Sequence, residues 1–205
     1  MTDKIETVVF DLGGVLIDWD PRKVYRQIFD TEAEIDWFFE NICTMDWNEE
    51  QDAGRSLFEA TNMKILEHPK WAEHIKAYYG RWEEMLGEAI EDTVNILGDL
   101  KAIPNLRIVA LTNWSAETFP IAIERFEFLQ WFEGIVISGT EKTRKPFADI
   151  YQIVFDRYNV NPSTALFIDD NLRNVQASEA LGMSAIHFQR NKSLRKKLKG
   201  FGLAI

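Results

Sequence analysis

Thr7-Val8-Val9-Phe10-Asp11-Leu12-Gly13-Gly14-Val15-Leu16 is the stretch on which the fold turns. Its first four residues form a short run of β-branched and aromatic side chains, the composition of a buried strand. The run ends on Asp11 and passes into two glycines, which let the backbone turn tightly and approach a ligand closely. A carboxylate delivered to such a turn can act as a nucleophile toward phosphorus or carbon. Taken alone, an aspartate after a strand is also a common turn residue.

Two more runs of this kind lie further along. Leu106 to Leu111 ends at Thr112-Asn113, and Ala165 to Ile168 ends at Asp169-Asp170. Gly134 to Ile137 and Ser184 to His187 are weaker candidates for a fourth and fifth strand. Helical patterns separate them, which predicts a doubly wound parallel sheet of Rossmann-like α/β type. Ligands of such sheets bind at the carboxyl ends of the strands, where this chain places polar residues three times.

The segment from Asp18 to Glu91 reads differently and contains no convincing strand. Trp71, Ile75, Tyr78, Trp82 and Met85 are spaced for one face of a long helix, with Pro69 at its start. Val24 with Ile28, and Ile35 with Phe38 and Phe39, suggest two more helices. Five of the seven tryptophans fall here and suit the core of a small bundle. The expected organisation is a core of residues 1–17 and 92–205, with residues 18–91 inserted as a helical lid over the strand ends. Arg190 to Lys199 is basic and reads as a solvated helix face with Leu194 and Leu198 turned inward.

Charge and composition exclude several functions. Acids outnumber bases by 33 to 23, giving a net charge of -10, so the chain repels phosphate backbones and no nucleic acid partner is expected. A small anionic substrate then needs a local positive site or a metal ion. The single Cys43 excludes an internal disulfide framework and fits a reducing compartment. No apolar run approaches the roughly 18 residues that span a bilayer, and Met1 to Glu6 is too polar for a signal-peptide core. The expectation is a cytoplasmic protein with no membrane partner, monomeric or homodimeric.

The remaining polar residues add up to a constellation. Thr112 and Asn113 bring a hydroxyl and an amide that can bind phosphoryl oxygens. Lys145 brings a cation, before Pro146 and in a loop that also holds Lys142 and Arg144. Asp169 and Asp170 bring adjacent carboxylates. Two such charges near Asp11 repel by about 4 kcal/mol at 4 Å and an effective dielectric of 20, and a hard cation such as magnesium removes that penalty.

This ordered set resembles the haloacid dehalogenase (HAD) superfamily over essentially the whole chain. Asp11 matches the family's nucleophile, Thr112 its hydroxyl residue, Lys145 its motif-three lysine and Asp170 its acidic metal ligand. The insert resembles a C1-type cap, and the opening Phe-Asp-Leu-Gly resembles that of bacterial sugar-phosphate phosphatases. The resemblance implies a phosphoric monoester hydrolase that forms an aspartyl phosphate on Asp11. It implies Mg2+ held by Asp11, the Gly13 carbonyl and Asp170, with Thr112 and Lys145 on the phosphoryl oxygens and a small phosphorylated metabolite as substrate, a sugar phosphate by preference. The stretch from Trp47 to Arg55 resembles the family's cap loop, in which Trp47, Gln51 and Arg55 suit stacking on and hydrogen-bonding a sugar. Arg22 is a further candidate for an anionic group.

Two positions depart from the pattern. Most phosphatases of the superfamily carry a second aspartate, the acid that protonates the leaving oxygen, where this chain has Gly13. Such a group contributes about 10²- to 10⁴-fold, and its absence favours leaving groups of low basicity such as anomeric sugar oxygens. Asn174 stands where another acid is common. The metal-free 2-haloacid dehalogenases of the superfamily also lack the second aspartate, which keeps attack of Asp11 on carbon open as an alternative, together with a non-catalytic binding module of the same fold. Asp169-Asp170-Asn171 differs from the Ser-Ser-Asn of those dehalogenases.

Overall fold

The computed structural model describes residues 4–190 and 192–205. Met1 to Asp3, in the polar start, and Asn191, in the basic stretch, lie outside them. Seven strands occur in chain order: β1 (Thr7–Phe10), β2 (Ile17–Trp19), β3 (Leu86–Ala89), β4 (Arg107–Thr112), β5 (Ile135–Ile137), β6 (Ala165–Asp169) and β7 (Ser184–His187). Five of them form a parallel sheet in the order β5-β4-β1-β6-β7. Both weaker candidates of the sequence are therefore strands, one at each edge.

The sheet is apolar on both faces because helices cover both. Val8, Phe10, Ile108, Ala110, Leu166 and Ile168 belong to one apolar cluster, and Val9, Val109, Leu111, Ala165 and Phe167 to the other. The alternation follows the two-residue period of a strand. The helix Ala148–Tyr158 supplies Ile150, Tyr151, Val154 and Phe155 to the second cluster. Leu97 and Leu100 of the helix Glu91–Lys101 belong to the first. The basic stretch ends in a helix, Leu194–Gly200, whose Leu194 and Leu198 are buried as expected.

The insert departs from the reading in three respects. β2 and β3 pair antiparallel, with Ile17 opposite Ala89 and Trp19 opposite Leu86, so a two-stranded ribbon joins the insert to the sheet. The long helix is broken: Ala72–Gly80 ends at Arg81 and a separate turn, Trp82–Met85, follows. Its apolar face persists across the break, since Ile75, Tyr78, Trp82 and Met85 are all buried. The stretch read as a cap loop is mostly helix, Met45–Asp52, capped by the Thr44 hydroxyl, and Leu57–Glu67 follows it. Tyr25, Phe38, Phe39 and Tyr78 pack in tilted and edge-to-face pairs within the insert, with Tyr25 and Phe38 centroids 4.9 Å apart. Cys43 is buried, and burial pushes its thiol up to about 12, which makes it an inert core residue. No helix among the described residues is long and apolar enough to cross a membrane.

Candidate active site

The chain winds outward from β1 through β4 to β5, then returns to the other side of β1 with β6 and β7. Winding therefore reverses between β1 and β6, the place where open α/β sheets bind ligands. Asp11 follows β1 there, and Asp169 ends β6.

Lys145 connects them. Its side chain is fully buried, and its Nζ lies 2.9 Å from Asp11 Oδ1 and 2.7 Å from Asp169 Oδ2. It also donates to the Leu111 carbonyl at 3.0 Å. The lysine's loop is tied to β4 by Asn113, which donates to the Lys145 carbonyl and accepts from its N–H. Burial alone would lower the ammonium pKa, but the two carboxylates outweigh it and hold Lys145 above its ordinary value. Burial pushes the Asp11 carboxyl well up; Lys145 pulls it back, while Asp169 and Asp170 add to the rise. The Leu12 N–H donates to Asp11 Oδ1 at 2.7 Å and fixes the carboxylate plane.

Asp169 is consumed by structure. Besides Lys145, it accepts from the Asn171 N–H at 2.7 Å and from the Asn174 amide at 3.1 Å. Asn174 thus orients Asp169. Asp170 is the outward member of the pair, and carboxylate oxygens of Asp11, Asp169 and Asp170 all lie within 4.8 Å of one another. Burial, then Asp169, raises the Asp170 carboxyl. Three convergent carboxylates with one ammonium fit a hard divalent cation. Asp11 and Asp170 could hold it, and Gly13 lines the same space.

Gly14 makes the cluster possible. Its φ is +74°, and a Cβ added there would fall 2.2 Å from Asp170 Oδ2. Gly14→Ala is therefore expected to strain the turn and displace Asp170, costing 1 kcal/mol or more, as flagged by the left-handed backbone, about 2–4 °C in melting temperature for a chain of this size. Thermal unfolding and magnesium titration of the variant check both effects.

A cavity of about 470 Å³ opens above the cluster, within the size range of small-molecule sites. Asp11, Gly13, Lys145 and Asp170 of the core line it, together with Asn48, Asp52, Tyr79 and Trp82 of the insert. Trp19, Met45, Trp114 and Leu172 add apolar wall. Thr112 ends β4, and its buried hydroxyl has no hydrogen-bond partner among the described residues. Thr112 is not itself among the residues that line the cavity, whereas its neighbour Asn113 is; a buried donor left in this way is one that a polar ligand would satisfy.

The insert is clasped to the core around this cavity. Glu49 pairs with Arg144 at 3.0 Å and also with Arg173. The Ser138 hydroxyl donates to the Asp52 carbonyl, and the Leu57 N–H to Glu117 at 2.8 Å.

The expected substrate contacts from the insert are not where the sequence put them. Trp47 packs inward, 5.2 Å from Tyr78 and 5.4 Å from Tyr79, and does not line the cavity. Gln51 is fully buried and bonds the Trp47 carbonyl and the Tyr79 hydroxyl. Arg55 bonds Gln51 and pairs with Glu50. Arg22 pairs with Glu32 and Asp36 on the surface of the insert. For Trp47 and Gln51 the physical reason is the helix Met45–Asp52, which turns them into the bundle while Asn48 and Asp52 line the cavity; Arg22 and Arg55 are taken up by ion pairs within the insert. Asp52, Tyr79, Trp82 and Trp114 were missed; only Trp114 carried a local signal, since it directly follows Thr112-Asn113.

A parallel doubly wound sheet with a lysine-bridged pair of aspartates at its switch point, under a helical insert, defines a hydrolase of HAD type. A family model for haloacid dehalogenase-like hydrolases matches residues 5–182, and the chain belongs to that family. It is similar to a sesquiterpene phosphatase of Aspergillus oryzae, 25% identical over 187 residues that cover 91% of each protein. It is also similar to a phosphorylated carbohydrates phosphatase of Thermotoga maritima, 24% identical over 189 residues, covering 89% of this chain and 84% of that one. A HAD family enzyme of Bacteroides thetaiotaomicron, solved with magnesium and inorganic phosphate, shares the fold with a TM-score of 0.69 at 19% identity, covering 94% of this chain and 98% of that one.

Proposed function

We propose that this hydrolase is a magnesium-dependent phosphatase of small phosphorylated metabolites. The observation that carries the reading is the cluster itself: Lys145 bonded to both Asp11 and Asp169, with Asp170 in reach of the same ion. Asp11 would attack phosphorus in line with the leaving oxygen, and water would then release phosphate from the acyl phosphate. Lys145 orients Asp11 and opposes the rise that burial gives its carboxyl, and with Thr112 it would offset charge that develops on the phosphoryl oxygens. Magnesium, when bound, screens the approach of one anion to another. Residues 18–91, as a cap, exclude bulk water and select the substrate.

A sugar phosphate suits a wall that mixes indole faces of Trp19, Trp82 and Trp114 with polar groups of Asn48, Ser115 and Thr118. The carbohydrate phosphatase of Thermotoga maritima supports that class. Met45 and Leu172 in the same wall, and the sesquiterpene phosphatase of Aspergillus oryzae, make a phosphorylated terpenoid alcohol the second class to assay. The experiment is phosphate release from both classes, with magnesium and with chelator. Magnesium-dependent release supports the reading; halide release from 2-haloacids in the presence of chelator, with no phosphate release, contradicts it.

Asp170→Ala separates the cation from the fold. Magnesium affinity and turnover should fall together, because one of the carboxylates offered to the ion is gone. Without metal the variant should melt higher, by about 2–4 °C for each kcal/mol of repulsion relieved. Calorimetry with chelator checks the sign, and a lower melting temperature would count against the crowded acidic cluster.

A further inference from the structure

We propose that Asp52, carried on the insert, is the acid–base group of the phosphoryl transfer, in the place that Gly13 leaves empty. This rests on the phosphatase reading above. Gly13 offers no side chain, and the space beside it is open: a Cβ built there meets nothing within 4 Å. Asp52 lines the same cavity.

Asp52 is placed as a functional acid rather than a structural one. It occupies the last position of the helix Met45–Asp52, where the helix dipole disfavours a negative charge. It makes no ion pair among the described residues. Its carboxylate is nevertheless held in one orientation. The Asn48 amide donates to Asp52 Oδ2 at 3.0 Å. Asn48 in turn accepts from the Tyr79 hydroxyl at 3.0 Å, and Tyr79 accepts from the buried Gln51 amide at 3.1 Å. The buried Gln51 thus acquires a role other than substrate contact. At the backbone, the Ser138 hydroxyl anchors the Asp52 carbonyl to the core.

The charged groups around it act in both directions. Burial raises the Asp52 carboxyl first, and Glu49 adds to the rise; the Ser115 N–H, Arg144 and Lys145 lower it, leaving it at about 7. An acid of that strength holds its proton at the start of a neutral-pH cycle and can give it up within the cycle. In the first step an Asp11 oxygen bonds to phosphorus and the bond from phosphorus to the leaving oxygen breaks. The Asp52 proton passes to that oxygen, releasing an alcohol and leaving Asp52 as carboxylate. In the second step Asp52 takes a proton from water as the water oxygen bonds to phosphorus. The bond between Asp11 and phosphorus breaks, which restores the Asp11 carboxylate, the protonated Asp52 and free phosphate.

The test compares Asp52→Asn with the unmodified enzyme, both with magnesium, on alkyl phosphates and on 4-nitrophenyl phosphate. Loss of a proton donor should cost about 10²- to 10⁴-fold in kcat/KM on alkyl substrates and far less on the aryl one, whose leaving group needs no proton. In the unmodified enzyme, kcat/KM for alkyl phosphates should fall as pH rises through about 7, and that limb should vanish in Asp52→Asn. Gly13→Asp added to Asp52→Asn should restore alkyl hydrolysis, an outcome a merely structural role would not give. Equal loss on both substrate types in a variant that melts normally overturns the proposal. Should the variant unfold, the unmodified enzyme decides: a limb confined to alkyl substrates supports the assignment, and one shared with the aryl substrate overturns it. An unmodified enzyme that releases no phosphate with magnesium overturns the phosphatase reading itself, and this assignment with it.

Discussion

Asp11→Asn is expected to lower phosphate release by at least about 10⁴-fold, the scale on which loss of a covalent nucleophile is felt. The amide nitrogen and oxygen are poor nucleophiles, and no other carboxylate can take the position. Asp169 accepts three different donors, Lys145, the Asn171 N–H and the Asn174 amide. Asp170 stands at the outer edge of the cluster. The fold should survive, because asparagine is nearly isosteric and keeps an oxygen for the Leu12 N–H. Lys145 and Thr112 are unchanged and should still receive a phosphomonoester, but magnesium affinity should fall, because Asp11 is one of the carboxylates offered to the ion. Steady-state turnover and circular dichroism of the same preparation check the two halves; residual activity above about a hundredth of the parent value, far outside that range, would mean that water attacks phosphorus directly.

Lys145→Met should affect stability as strongly as activity. Methionine is close in length but removes the cation that the fully buried Asp169 and the buried Asp11 share, the only one they share among the described residues. Breaking a buried ion pair on one side costs about 3–5 kcal/mol, because it strands the partner's charge. For a chain of this length that is roughly 10 °C in melting temperature. The pH dependence follows from the carboxyls. Burial already raises Asp11 above its ordinary value of 3.8, so the folded state holds that proton more tightly than the unfolded state does. Stability from this group therefore declines as pH rises above the ordinary value toward the raised one. Without Lys145 the rise is larger, and the variant's deficit in urea unfolding should be greater at pH 8 than at pH 5. A deficit that is the same at both would show that the two carboxylates are not coupled through the lysine. Activity should be lost at either pH.

The parallel sheet was legible because its strands are buried on both faces and so read as unbroken apolar runs, Val8 to Phe10 and Leu166 to Ile168 most clearly. The edge strands around Val136 and Ile186 were fainter because partly buried neighbours interrupt the pattern. β2 and β3 left no trace: three and four residues long, they owe their conformation to each other across the ribbon rather than to any local pattern. The break at Arg81 was hidden since the apolar spacing carries on through it. Among candidate site residues, Asp11, Thr112, Lys145 and Asp170 stand out in the sequence because each ends or directly follows a strand or stands in a charged loop of the ordered set. Trp47 misleads because a tryptophan suits a pocket and a bundle interior equally, and only the orientation of the helix Met45–Asp52 separates them; Arg55 misleads because its partners, Gln51 and Glu50, lie within the insert. Asp52 has no local mark at all. Its meaning comes from the core loops that its helix end meets, at Ser115 and Ser138, more than sixty residues away in sequence.

Trapping the covalent intermediate tests the account most directly. The enzyme would be mixed with magnesium and a phosphomonoester that it hydrolyses, quenched in acid within the first turnover, and digested for mass spectrometry. The peptide that holds Phe10-Asp11-Leu12 should carry one phosphoryl group on Asp11, and the group should be absent with chelator and in Asp11→Asn. Steady phosphate release with no phosphoryl group on that peptide at any quench time, or with the group on another residue, would contradict nucleophilic attack by Asp11.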